Sequence, residues 1–418
     1  MNKLNELINK LCPNGVEYKT LGELGKFYGG ITGKSKEDFK DGNAKFITYK
    51  NVYENVSLKL DVEDKVKISE KENQRTLEYG DIIFTGSSET PNECGLSSVV
   101  TEKVEEKLYL NSFCFFFRMN NKEILNPDFA KHLFRSSNLR YQIGKTASGV
   151  TRFNVSKKAM EKVRIPVPPL EVQCEIVHIL DDFTLLSAEL SAELKARREQ
   201  FNYFRSKLFE KYLSDFVELD SIGDVTKLAG FEFTKYVKYS QEGNIIALRG
   251  LNVKDGRLVL NDIKYIDNSD FSKLERSKLY KNDLLYTYVG TVGQVGLVDQ
   301  NNKYYLAPNV ARIRINNSKV LPKFVMYFLQ TPEFKVNQLD KLTGASSMKN
   351  ITMTNIRKFK IPLPSIEEQE RIVNILDKFD KYCNNISEGL PAEIEARQKQ
   401  YEYYRDKLLT FKELKVNE

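Results

Sequence analysis

The side chains of this 418-residue chain best suited to chemistry are basic and amide groups. Between Lys131 and Arg164 the basic residues are Lys131, Arg135, Arg140, Lys145, Arg152, Lys157, Lys158, Lys162 and Arg164, against Glu161 alone. Inside that run, GKTASGVTRFNVS (Gly144–Ser156) is a small-residue loop bearing Lys145, Thr151, Arg152 and Asn154. A second loop, LTGASSMKNIT (Leu342–Thr352), bears Lys349 and Asn350 and is followed by Arg357, Lys358 and Lys360. Lys and Arg neutralise phosphates, and Arg and Asn can form paired hydrogen bonds with guanine and adenine edges. One such loop is ordinary on a mildly basic surface. Two loops, each just ahead of an IPxP sequence, point to DNA contact. Lys50 and Arg249, read as opposite one another, are expected on the same face. Lys34, in GGITGKS (Gly29–Ser35), is expected on a flexible basic loop able to meet phosphates.

Other chemistry is poorly supported. GGITGKS is one residue short of a nucleotide phosphate loop, because Tyr28 stands where the first glycine is needed. NPDF (Asn126–Phe129) lacks the second proline of the adenine-methyltransferase motif, and a helix start accounts for it. There are only two histidines, His132 and His178. The five cysteines (Cys12, Cys94, Cys114, Cys174, Cys383) are scattered, with no C-x-x-C spacing. That argues against a zinc site or disulfide framework and for a reducing cytoplasm. No catalytic residue, cofactor or metal is expected.

The elements that must position these loops come in pairs. IPVPPLEVQCEIVHILDDF begins at Ile165 and IPLPSIEEQERIVNILDKF at Ile361. Each leads to a similar ending, ARREQFNYFRSKL (Ala196–Leu208) and ARQKQYEYYRDKL (Ala396–Leu408). In the first copy Ile176, Leu180, Phe183, Leu190, Leu194, Phe201, Phe204 and Leu208 follow four- and three-residue steps, with Ser187 and Arg197 occupying two of them, a helix-packing seam. About 40 residues of helix span about 60 Å. The second copy has a similar seam and one extra turn, with a break expected at Gly389 and Pro391.

Ahead of each helix lies a β-rich head. In the first, strands are expected at Lys45–Val52, Asp81–Thr85, Ser97–Thr101 and Leu108–Arg118, and a helix at Asp128–Ser136. In the second, strands are expected at Asn244–Val253, Asn282–Gly290, Gly293–Asp299 and Val310–Ile315, and a helix in Leu321–Phe334. The predicted organisation is a first head at 1–164, a spacer helix at 165–212, a second head at 213–360 and a second spacer helix at 361–418. The fold class is α+β: two α/β heads on two long helices packed as an antiparallel coiled coil, with approximate two-fold symmetry.

Composition agrees with a soluble globular chain: 41% hydrophobic, 29% charged, net charge +7. No run is long and apolar enough to span a membrane, and MNKLNELINKLCPNG does not read as a secretory signal.

The doubled IPxP-L-x-x-Q-x-x-I-V-x-I-L-D-x-F pattern, the SAELSAEL tract (Ser187–Leu194) and SEGLPAEIEARQKQYEYYRDKLL (Ser387–Leu409) resemble the specificity subunits of type I restriction–modification systems. The resemblance covers the whole chain, strongly in the helices and loosely in the heads. Cys174 and His178 depart from the usual polar residues. The resemblance implies a non-catalytic, cytoplasmic subunit in which each head reads half of a split double-stranded DNA site. It implies that the helices space the heads and dock modification (methyltransferase) subunits, through which restriction subunits join. Two other classes stay open: a DNA-modifying or DNA-cleaving enzyme with its own active site, and a structural coiled-coil adaptor.

Overall fold

The computed structural model describes residues 2–228, 230–343, 350–384 and 389–414. The chain divides into two compact units, Met1–Leu190 with Ile394–Glu418, and Ser191–Glu393.

Each unit is built on an antiparallel four-stranded sheet. In the first unit the order is Gly25–Gly29, Cys114–Met119, Ile82–Thr85, Ser97–Val99. In the second it is Gly223–Lys227, Val310–Ile315, Leu284–Thr287, Val295–Leu297. The central strands are buried on both faces, which explains their continuous apolar runs. Alternation divides their side chains between two cores. Ile82, Phe84, Phe115 and Phe117 face the core that holds Val172, Ile176 and Leu180 of the first repeat. Ile83, Cys114 and Phe116 face a second core with Ile47, Val52 and Leu110. The second unit repeats this, with Leu284, Tyr286 and Ile313 on one side and Leu285 and Val310 on the other.

A smaller sheet lies against each large one. Ala44–Ile47 pairs antiparallel with Lys65–Val66 and parallel with Tyr109–Leu110. Ile246–Leu248 pairs in the same two ways with Lys264–Tyr265 and Tyr304–Leu306. The IPxP sequences form short edge pairs, Arg164–Val167 with Glu17–Thr20 and Lys360–Pro362 with Phe216–Glu218.

One unbroken helix, Leu170–Glu210, has 41 residues. In the first unit its Phe183 stacks on Tyr404 with centroids 5.2 Å apart. In the second, its Phe204 lies 5.6 Å from Phe379. Within each unit, therefore, the start of one repeat packs on the end of the other, the antiparallel order that the seams predict. The expected break is present. One helix is described over Ile366–Asn384, and the next runs from Leu390 to Leu408 with Gly389 just outside it and Pro391 in its first turn. Ile386, Ser387 and Glu388 lie outside the described residues.

Three strand expectations are corrected. Lys45–Val52 is a strand only to Ile47; Thr48 then caps a helix, Tyr49–Glu54, by accepting from the Asn51 amide. Asn244–Val253 likewise stops as a strand at Leu248; Arg249 takes the N-cap position of a single 3-10 turn, its amide donating to Asn252 Oδ1. Leu108–Arg118 is two strands of different sheets, separated where the Asn111 side chain donates to Ile47 O and accepts from Phe113 N. In each case a side chain competes with the ladder for backbone groups. The expected helix at Asp128–Ser136 runs from Pro127 to Leu133, with Asn126 accepting from two amides at its start.

Candidate nucleic-acid interface

In the first unit Lys50, Thr151, Arg152 and Asn154, four of the expected DNA-contacting residues, lie on elements joined at Ser87. Ala147–Ser148 and Phe153–Val155 form a hairpin, and its second strand pairs with Ser87–Ser88. Gly149 at the tip takes a φ of +153°, and a Cβ there would meet the Arg152 carbonyl at 1.9 Å. The hairpin thus presents Thr151, Arg152 and Asn154, all exposed. Arg152 donates through Nε and Nη2 to Ser87 Oγ at 3.1 and 2.8 Å. That fixes one edge of the guanidinium and leaves the Nη1 donors unused. Tyr49 Oη donates to Ser87 O at 3.0 Å, which ties in the helix bearing Lys50. Lys50 is 78% exposed, with Glu54 3.8 Å away. The Lys145 ammonium lies 4.1 Å from the Tyr141 ring centroid.

Lys34 is differently placed. Its side chain is 7% exposed and its ammonium is 2.5 Å from Glu72. Ser35 and Asp38 bond to one another, and a 3-10 turn follows instead of a phosphate-binding helix. Its charge is already met.

Much of the basic run that drew attention in the sequence holds the fold together. Arg135 donates to the carbonyls of Ser97, Val52 and Tyr53. Burial pushes its guanidinium down to about 10. Arg140 donates to Gly95, Asn92 and Cys94 carbonyls. Lys131 pairs with Asp128 and Asp181, and Arg164 with Glu413. Charge count alone could not separate these from the exposed lysines, because the acceptors are backbone carbonyls or acids distant in sequence.

In the second unit Asn350 is exposed and bridges Val289, while Ile351 N donates to Tyr288 O at 3.0 Å. Lys349 lies outside the described residues. Arg249 donates through Nη2 to the Asp262 carbonyl and carboxylate at 2.8 and 3.0 Å. Its side chain is only 25% exposed. Arg249 and Val289 line one concavity of about 630 Å³ with Tyr239, Leu251, Lys254 and Pro308. Asn350 thus lies beside this concavity through its bridge to Val289, which lines it with Arg249.

The pairing of Lys50 with Arg249 is corrected. Arg249 holds the N-cap position of its turn, as Thr48 does for the helix of the first unit. The matching asparagines confirm the register: Asn51 bonds Lys59 backbone groups, and Asn252 donates to the Val259 and Asp262 carbonyls. Lys50 therefore corresponds to Leu251, and Arg249 to Thr48.

Both repeats anchor these surfaces through the same residues. Gln173, fully buried, accepts from Asn126 N and donates to Ile124 O and Pro168 O. Gln369 accepts from Leu321 N and donates to Lys319 O and Pro364 O. Asp81 clasps Arg118, and Asp283 clasps Arg314, each through two hydrogen bonds. Among the described residues no group of His, Cys, Asp and Glu could hold a metal ion, and no helix is long and apolar enough to cross a membrane.

A family model described as the type I restriction modification DNA specificity domain matches the chain twice, at residues 13–197 and 214–396. A putative type I restriction enzyme specificity subunit of Haemophilus influenzae is 32% identical over 303 residues, 70% of this chain and 74% of that protein. The EcoR124I/EcoR124II specificity subunit of Escherichia coli is 34% identical over 273 residues, 62% of this chain and 65% of that protein. A solved structure from work on assembly and conformational transition of the type I R-M system aligns at TM-score 0.59 and 18% identity. It covers 96% of this chain and 98% of its own, a likeness of fold. With two family matches over two units of matching topology, the chain belongs to the type I restriction–modification DNA specificity family and is a DNA-recognition subunit with two target-recognition domains.

Proposed function

We propose that each unit reads one half of a bipartite, asymmetric double-stranded DNA sequence, with an unread gap between the halves. The observation that carries this is a shared framework with different exposed chemistry. Sheet order, the Gln173 and Gln369 clamps and the Asp81 and Asp283 pairs recur, while exposed Lys50 gives way to exposed Leu251, and the buried Ser87 that holds exposed Arg152 gives way to Val289. Two scaffolds alike inside and unlike outside suit two different base sequences.

In this reading Lys50, Lys145, Thr151, Arg152 and Asn154 contact the first half-site, and Arg249, Lys349 and Asn350 the second. Lys34 serves the first head through its loop, its own charge being met by Glu72. The heads are residues 1–164 and 213–360, with spacers at 165–212 and 361–418. The spacers dock modification (methyltransferase) subunits, and restriction subunits join through these. The chain itself carries out no catalysis and works in the cytoplasm, where chromosomal DNA lies.

The test is to map methylated bases in cells that express the chain with its modification subunits. Two short specified blocks separated by a fixed unspecified gap are expected. A single continuous motif would overturn the proposal.

A further inference from the structure

We infer that the second target-recognition domain reads its half-site partly through the 5-methyl group of thymine, received in the concavity beside Arg249. The inference rests on the DNA-reading role proposed above and names the chemistry of one half of it.

The register of the two sheets makes the comparison position by position. Thr85 pairs with Cys114, and Thr287 with Val310, so Ser87 corresponds to Val289 and Ser112 to Pro308. The helix caps equate Lys50 with Leu251. Three polar positions around the first domain's hairpin are thus apolar in the second. Phe113 against Asn309 and Gly29 against Lys227 run the other way.

Leu251 is 52% exposed, an apolar side chain left on a surface where its counterpart is a lysine. With Val289, Ala307 and Pro308 it makes the apolar part of the concavity of about 630 Å³, ample for the edge of a base, which Thr287, Thr291, Gln294 and Asn309 also line. The rim is basic. Lys254 lines it, Lys227 reaches over the ring of Tyr288 beside it, and Arg249 lines it with its Nη2 held by Asp262. Basic residues suit flanking phosphates, and the exposed apolar patch of Leu251, Val289 and Pro308 finds its best partner in a methyl group. In the major groove, thymine alone presents a methyl group. A protein ligand would find the same apolar patch, but the basic rim and the family's DNA specificity favour the duplex.

Deoxyuridine pairs as thymine does and lacks only the methyl. The full chain, with its modification subunits, is first used to select bound duplexes from a random pool. Thymines in each half of the selected site are then replaced by deoxyuridine one at a time, and affinity is measured. The half belonging to the second domain is the one whose preference changes in Leu251→Ser. At least one replacement there should weaken binding about fourfold, the factor for one buried methyl group. Leu251→Ser should abolish that difference and leave the other half-site's response unchanged. A second half without thymine on either strand, or one indifferent to deoxyuridine, would overturn the inference while leaving bipartite reading intact. Failure to select any sequence would instead refute the DNA-reading proposal itself, and this inference with it. Arg249→Lys serves as a second variant: it retains the rim charge, so the thymine–deoxyuridine difference should persist, and its loss would overturn the inference.

Discussion

His132 Nε2 lies 2.8 Å from Asp181 Oδ1, which joins the first domain's Pro127–Leu133 helix to the long helix that carries the repeat. Tyr401 Oη lies 2.8 Å from the other ring nitrogen. A carboxylate only accepts, so Nε2 carries the proton and Nδ1 accepts from Tyr401. The second unit makes the same joint without histidine: Tyr327 Oη donates to Asp377 at 2.7 Å. The joint belongs to the scaffold, and its chemistry has been replaced in one copy.

His132→Phe should therefore destabilise the first unit. It removes the imidazole partner of the buried Tyr401 hydroxyl, at about 1–3 kcal/mol, while Asp181 keeps its pairing with Lys131. Burial lowers the His132 pKa, opposed by the Asp181 hydrogen bond. The unfolded chain then takes up a proton that the folded chain resists. The stability this histidine contributes is present above its ordinary value of about 6.5 and is lost as pH falls from there toward the lowered folded value. Denaturant melts of both proteins between pH 8 and pH 5 check this. The gap between them should narrow on the acid side, and a pH-independent gap would count against a neutral buried imidazole.

Gln173→Leu and Gln369→Leu should each cost about 1–3 kcal/mol per buried backbone group left unpaired. Each glutamine satisfies one amide and two carbonyls where a strand turns into a helix. Thermal melts are the measurement. A loss below about 0.5 kcal/mol, the usual size of a surface change, would mean that water replaces the clamp.

Lys50→Ala should weaken binding to all duplexes alike and lower the salt slope by about one charge. Arg152→Ala should instead relax one base position, at about 1–3 kcal/mol of discrimination. Titrations at several salt concentrations separate the two effects. If the double variant binds its site with unchanged affinity, the Ser87-centred surface does not face DNA.

Inserting one more Ser-Ala-Glu-Leu unit after Leu194 should lengthen the unread gap and leave both half-sites unchanged. Four residues add about one turn, roughly 6 Å, to an uninterrupted helix. At about 3.4 Å per base along a strand, this is between one and two base pairs. Sequencing the methylated sites of the insertion variant reads the gap directly. Retained activity with an unchanged gap would show that the helix is not the ruler.

The sequence by itself determined the elements whose period repeats over many residues. Seam residues from Ile176 to Leu208 announced the helix that spans Leu170–Glu210, and Gly389 with Pro391 announced its partner's interruption. Local pattern was enough because helix packing repeats every few residues. Tertiary structure alone decided what short polar segments do. Thr48 and Asn111 end strands by bonding backbone groups, a competition that strand-forming neighbours do not reveal. Arg135 and Arg140 resemble Arg152 in sequence, yet the first two fill buried carbonyl pockets made by residues some 40 to 80 positions away. Leu251 replaced Arg249 as the counterpart of Lys50 only once the caps fixed the register. Partners distant along the chain carry no local signal, so which charges are spent inside and which stay available outside is settled by folding.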